Sequence, residues 1–162
     1  MKIRNARTDE LNTIKAIYEE AKAFMRASGN KDQWNGNYPQ NELILRDIEN
    51  GNCHVCVENE EIIGVFCLFD GPDKTYLKIY GGAWPSDDDY CVIHRIAVRE
   101  HGKGVARACY DYALSKVPVL RIDTHRDNRP MRRSLEKNGF TECGIIYLES
   151  GDERIAFQKS LK

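Results

Sequence analysis

No stretch of this sequence approaches the roughly 18 apolar residues of a membrane-spanning helix, so a helical membrane protein is excluded. Neither sign of charge dominates: 24 Lys and Arg stand against 25 Asp and Glu, a formal charge of -1. A nucleic-acid binder needs a basic stripe to meet phosphate, and none is present. The opening residues, MKIRNARTDE, lack the apolar segment of a secretory signal, so a cytoplasmic protein is expected. There is no repeat, low-complexity tract or linker, and a single domain over residues 1–162 is the simplest organisation.

What is present suits a soluble globular domain. The chain is 41% hydrophobic and 30% charged, and a domain of this size buries roughly 70% of the surface of its unfolded chain. Its six cysteines (Cys53, Cys56, Cys67, Cys91, Cys109 and Cys143) come without an export signal, so free thiols are expected. Cys53 and Cys56 have the spacing of half a zinc site. They lack a second pair and fall in a strand-like segment, where residues three apart point to opposite faces, so no metal site is expected.

Periodicity divides the chain. Lys2 to Arg7 reads as a strand, and Thr8 or Asp9 as the cap of a helix with Leu11, Ile14, Tyr18, Ala21 and Met25 on one face. A polar loop, 31–38, carries Trp34 and Tyr38. Pro39 opens a second helix with Leu43, Ile44 and Ile48 inward. From Cys53 the period becomes two, and strands are predicted at 53–58, 62–69, 76–80 and 90–98. A helix from Val105 ends before Pro118, and Val119 to Thr124 is a strand. A helix follows, capped by Asn128, and a terminal hairpin turns at Ser150-Gly151-Asp152. The fold class is α/β (α+β): a mixed central sheet with helices on its faces.

The most informative segment is His94-Arg95-Ile96-Ala97-Val98-Arg99-Glu100-His101-Gly102-Lys103-Gly104-Val105-Ala106, a strand running through a Gly-x-Gly turn into a helix. Glycines there let a ligand approach the backbone. The unpaired first N–H groups of the helix favour phosphate. Neither a Walker loop nor a dinucleotide fingerprint fits: the glycines are two apart, Val105 follows the second, and Arg107 stands where a third glycine belongs.

This segment resembles the acetyl-CoA motif of the GNAT superfamily of N-acetyltransferases, [Gln/Arg]-x-x-Gly-x-[Gly/Ala]. Two frames fit, Arg99 to Gly104 literally and His101 to Ala106 with His at the first position. A second block is similar to the superfamily's strand–Asn–helix–x-Lys-x-Gly-Phe pattern: Ile122 to Met131, then Leu135 to Phe140. The resemblance follows the element order of the whole chain. It implies a mostly antiparallel sheet of about seven strands flanked by about four helices, and acetyl-CoA as cofactor. Ile96, Ala97 and Val98 would contact the acetyl and pantetheine arm. His101, Gly102, Lys103, Gly104, Val105 and Ala106 would hold the pyrophosphate, and Asn128 would reach the pantetheine. One departure stands out: the tyrosine that many relatives carry seven residues after the Asn, as general acid, is Leu135 here.

The implied chemistry is direct attack of a neutral amine on the thioester, which requires a base. His94 is the leading candidate and His125 the second. Trp34, Tyr38, Tyr80 and Trp84 are candidate walls of the acceptor pocket, and Asp87, Asp88 and Asp89 a candidate attraction for a cationic amine. The expected partner is a small-molecule amine rather than nucleic acid or membrane, with a homodimer left open. Competing readings are a CoA-binding pseudoenzyme and a protein or peptide N-acetyltransferase.

Overall fold

The computed structural model describes residues 1–161. Seven strands form one sheet: β1 (Lys2–Asn5), β2 (Cys53–Glu58), β3 (Glu61–Asp70), β4 (Cys91–Val98), β5 (Val119–Thr124), β6 (Thr141–Tyr147) and β7 (Glu153–Ser160). Their order is β1-β2-β3-β4-β5-β7-β6, antiparallel except where β4 meets β5. Four helices flank it: α1 (Leu11–Ala27), α2 (Asn41–Glu49), α3 (Val105–Lys116) and α4 (Arg129–Lys137). The expected fold class and strand number hold.

Each face of the sheet has its own core, because alternate residues of each strand point to opposite sides. On one face α3 and α4 pack Val105, Cys109, Tyr110 and Leu135 against Cys56, Phe66, Ile93 and Ile122. On the other, α1 and α2 pack Ile14, Ile17, Tyr18 and Ile44 against Cys53, Val55, Val65 and Cys67. Cys53 and Cys56 therefore lie in different cores, as strand geometry requires. All six cysteines are free and buried.

Two local readings change. The turn before α1 is a 3-10 turn over Thr8–Glu10, and neither Thr8 nor Asp9 caps it. Glu10 reaches back instead: its Oε1 accepts from the Arg7 amide at 2.8 Å, and its carboxylate pairs with Arg4 at 2.7 Å. Residues 76–80 do not form a strand. Asp73 caps a 3-10 turn over Lys74–Tyr76, accepting from the Thr75 amide at 2.9 Å, so the chain coils where alternation suggested extension. The segment's backbone joins the sheet at Tyr80, in an isolated bridge to Ile145.

The feature that positions a site is the junction of β4 and β5. These parallel strands pair only at Cys91–Leu120 and Val92–Arg121. Beyond Val92 they separate, leaving one edge of β4 without a partner strand. A bulge lies in this free stretch: Val65 faces Ala97 and Cys67 faces His94, so two residues of β4 oppose Phe66. Arg95 takes the left-handed conformation there, with φ of 52°.

Close packing places α3 against this region. A Cβ on Gly64 of β3 would stand 2.9 Å from Cγ1 of Val105, the first residue of α3. Gly64→Ala is expected to overpack this contact and cost about 1–3 kcal/mol, read as a lowered urea midpoint. An unchanged midpoint would show that Val105 gives way freely.

Candidate active site

Where β4 and β5 part, a cavity of about 600 Å³ opens. His94, Arg95 and Ile96 of β4 line one side and Asp123 and Thr124 of β5 the other. The 31–38 loop contributes Gln33, Trp34 and Tyr38, and the β6–β7 turn leads to Arg154. A narrower groove of about 100 Å³ continues from it between α1, α3 and α4. Ile96, Ala97, Val98, His101, Ala106, Asn128 and Ser134 line this groove.

The groove ends at the Gly-x-Gly turn. Gly102 and Gly104 both have left-handed backbone, with φ of 78° and 76°, and nothing lies within 4 Å of where their Cβ atoms would be. No side chain caps α3, so its first N–H groups are left for an anion. Lys103 is exposed beside them. His101 stacks on Phe24 with ring centroids 4.1 Å apart. Val105 turns its side chain into the core. The groove thus offers an anion-binding end, a lining of apolar side chains, and an exit beside the cavity. A long ligand with phosphate at one end and its reactive group at the other fits this layout, as acetyl-CoA would.

Asn128 caps α4, its Oδ1 accepting from the Met131 amide at 3.2 Å, while its Nδ2 donates to Gln33 Oε1 at 2.9 Å. Leu135 is fully buried in the α3–α4 core. The groove-lining hydroxyl beside it is Ser134, which lies 3.0 Å from the buried Tyr110 hydroxyl.

His94 is partly exposed at the cavity wall. Its Nε2 lies 2.8 Å from Asp73 Oδ2. Burial pushes the Asp73 carboxyl up, but the hydrogen bonds from His94 and from the Thr75 hydroxyl and amide outweigh it and bring the pKa down to about 2. An ionised Asp73 can only accept, so in the neutral His94 ring Nε2 carries the proton and Nδ1 presents the lone pair. The Asp73 amide in turn donates to the Tyr90 hydroxyl at 2.9 Å. Next to this pair, the buried Tyr76 hydroxyl donates to Asp123 Oδ2 at 2.6 Å.

The bulge is pinned from the α1–α2 face. Arg95 forks onto the buried Asp47 of α2, Nε to Oδ2 at 2.9 Å and Nη2 to Oδ1 at 3.0 Å, and reaches the Tyr38 hydroxyl at 3.2 Å. The Arg95 carbonyl accepts from the Tyr18 hydroxyl at 3.0 Å.

The expected residues divide. His94, Ile96, Trp34, Tyr38 and Asn128 line the cavity. Tyr80 and Trp84 do not: Tyr80 is half exposed against Tyr147, and Trp84 stacks on Arg121 with 4.0 Å to the ring centroid. Asp87, Asp88 and Asp89 are likewise absent from the lining. His125 sits outside it too, its Nδ1 accepting from the Asp127 amide at 3.0 Å. Asp32, His125 and Asp127 bring ligand atoms within 4.8 Å of one another.

Periodicity and motif do not reveal Asp73, Asp47 or Arg154. Asp73 carries one local signal, an Asp two residues before Thr75 in a turn, the pattern of a side chain bonding its own loop. Asp47 is betrayed only by its place beside Ile44 and Ile48 on the apolar side of α2.

A depressed carboxyl pKa makes stability that is present above the unfolded value, about 3.9, and lost as pH falls through about 2. The stability gap between the wild type and Asp73→Asn is therefore expected to shrink as pH is lowered from 5 to 2. Chemical melts at several pH values check this; a constant gap would contradict it.

A family model described as "Acetyltransferase (GNAT) family" matches residues 14–140. Comparison with curated protein sequences gives no match. Among solved structures, a GNAT-family acetyltransferase from Streptococcus agalactiae is 32% identical with a TM-score of 0.88, covering 99% of this chain and 95% of its own. A putative acetyltransferase from Staphylococcus aureus is 26% identical with a TM-score of 0.73, and both chains are covered completely. At 14% identity and a TM-score of 0.62, Arabidopsis thaliana Naa50, solved with the bisubstrate analogue CoA-Ac-MVNAL, shares the fold over 99% of this chain and 98% of its own. With the parted strands, the glycine turn and the groove between them, these similarities show that the chain belongs to the GNAT family of acetyltransferases.

Proposed function

We propose that this protein transfers an acetyl group from acetyl-CoA to the primary amine of a small molecule, with His94 as general base. The observation that carries the reading is the His94–Asp73 pair, at 2.8 Å, on the wall of the cavity that the parting of β4 and β5 creates.

Acetyl-CoA supplies the thioester that the amine attacks. The N–H groups at the start of α3, with Gly102, Lys103 and Gly104, hold its pyrophosphate. Ile96, Ala97, Val98 and Ala106 line the path of the arm. Asn128 gives the arm an amide donor in exchange for its bond to Gln33 Oε1. The unpaired edge of β4 past Val92 offers backbone N–H groups to a carbonyl oxygen that gains charge.

The acceptor arrives mostly as an ammonium ion and must lose a proton before it can attack. His94 Nδ1 takes that proton, and the ionised Asp73 fixes the ring and stabilises the imidazolium through Nε2. Asp123, with one oxygen held by Tyr76, keeps the other for the ammonium. Leu135 has no proton to give, so the imidazolium is the acid that returns one to the departing thiolate.

A second reading, CoA binding without turnover, draws on one observation, the burial of Leu135 where relatives carry their acid. Thiol release from acetyl-CoA across a panel of amines separates the two, since a binding module releases none above background.

Two variants divide the site. His94→Ala is expected to slow single-turnover acetylation by roughly 10²–10⁴-fold with acetyl-CoA binding nearly intact. Retained activity would remove His94 from the base role. Gly104→Asp puts a carboxylate and a Cβ at the phosphate end, and is expected to weaken acetyl-CoA binding at least about tenfold by calorimetry. Unchanged affinity in a folded variant would displace the phosphate assignment.

A further inference from the structure

Three titratable side chains follow one another along the cavity wall on three strands: His94 on β4, Asp123 on β5 and Arg154 on β7. The first two serve the reaction proposed above. Arg154 has no part in it, yet it is 95% buried (5% exposed) and lines the same cavity.

Its partners do not match its charge. Nη1 donates to the Glu153 carbonyl at 2.9 Å and Nη2 to the Gln33 carbonyl at 3.3 Å. The nearby carboxylates are engaged elsewhere: Asp123 by the Tyr76 hydroxyl, Asp73 by His94, Asp152 by the Ser150 hydroxyl at 3.1 Å, and Glu153 by Arg126 at 3.9 Å. Among the described residues none forms an ion pair with Arg154. A guanidinium has five N–H donors and stays charged at any ordinary pH, so two neutral carbonyls leave a buried cation short of both donors' partners and counter-charge. A carboxylate answers both needs at once through two parallel hydrogen bonds.

The remaining charges select among anions. Asp32, Asp123 and Asp152 also line the cavity. They repel a dianion such as a phosphate monoester, and they welcome the ammonium end of a molecule whose other end is a single carboxylate. Paired strands run about 4.8 Å apart, so β4 and β7, two strands apart, would be separated by roughly 10 Å if paired throughout, and the parting of β4 from β5 beyond Val92 makes that a minimum at His94. That span suits an amine several carbons from the carboxylate better than an α-amine beside it.

We infer that Arg154 is the specificity-determining residue for the acceptor, and that the acceptor is a small ω-amino carboxylate, its amine at His94 and its carboxylate at Arg154. This rests on the acetyltransferase reading of the same cavity.

The matched probes are 6-aminohexanoate and 6-aminohexanamide, equal in length and differing in the charge at one end. The ratio of their kcat/KM values in thiol release is expected to favour the carboxylate by at least about tenfold in the wild type, and to fall to near unity in Arg154→Gln through a raised KM. Arg154→Lys, which keeps the charge without the fork, should fall between. No preference in the wild type, or an equal loss for both probes in Arg154→Gln, would overturn the assignment and leave Arg154 as a prop for the 31–38 loop. Calorimetric binding of 6-aminohexanoate in the presence of CoA reads the site without turnover. Binding lost in Arg154→Gln but kept in Tyr80→Ala, whose side chain lies outside the cavity lining, supports the carboxylate site, and binding equal in wild type and Arg154→Gln overturns it. Thiol release with no amine at all would instead overturn the acetyltransferase reading.

Discussion

The ion pair between Arg95 and Asp47 holds the one distortion on which the cavity depends. A bulge in a buried strand is costly unless its displaced groups find partners, and here the side chain and carbonyl of Arg95 are met from outside the sheet. Asp47 takes the guanidinium from α2, Tyr18 takes the carbonyl from α1, and Tyr38 adds a third contact. With only two residue pairs joining β4 to β5, nothing on the β5 side holds β4 in place beyond Val92. Removing Asp47 would leave a buried cation unpaired, at a cost of about 3–5 kcal/mol, with its effect concentrated beside His94. The helices of the α1 face thus set the shape of the strand from which the chemistry is proposed.

This arrangement explains why the legible and illegible parts of the site divide as they do. The fold was readable because periodicity reports burial: the 3.6 period of α1 and the alternation of β2 follow from which faces meet the two cores. The glycine turn was readable because few residues tolerate φ near +77°, and Asn128 because a helix start rewards a side-chain acceptor. His94 stood out as a titratable residue on the strand that leads into the glycine turn. Its partner did not, because Asp73 reaches it from a loop 21 residues earlier and no spacing rule links the two. The same holds for Asp47, which meets Arg95 across 48 positions. Tertiary pairing of charges leaves no local pattern.

The aromatic residues show the opposite error, a pattern with no consequence for the cavity. Tyr76 to Tyr80 alternates as a strand should, yet the Asp73 cap turns the chain and sends Tyr76 inward to Asp123. Trp84 has the size of a pocket wall but is committed to Arg121, which Tyr90 flanks at the same 4.0 Å. That stack fastens the 77–90 loop to the sheet, and Tyr90 also holds the Asp73 amide. Trp84 and Tyr90 act on the site at one remove, by fixing the loop that orients His94.

The charges of the cavity follow a consistent division. Carboxylates that accept bonds from neutral or protonatable partners, Asp73 and Asp123, sit beside the parted strands, where an ammonium ion must arrive and lose a proton. Two arginines, Arg95 and Arg154, also line the cavity, and only Arg95 is paired with a carboxylate. Arg95 has a carboxylate fully matched to its fork and so serves shape alone. Arg154 has carbonyls and so retains its charge toward the cavity. The two arginines therefore differ in what they can do for a ligand: a guanidinium already paired with a carboxylate offers an incoming anion little, whereas one held by neutral oxygens keeps most of its attraction.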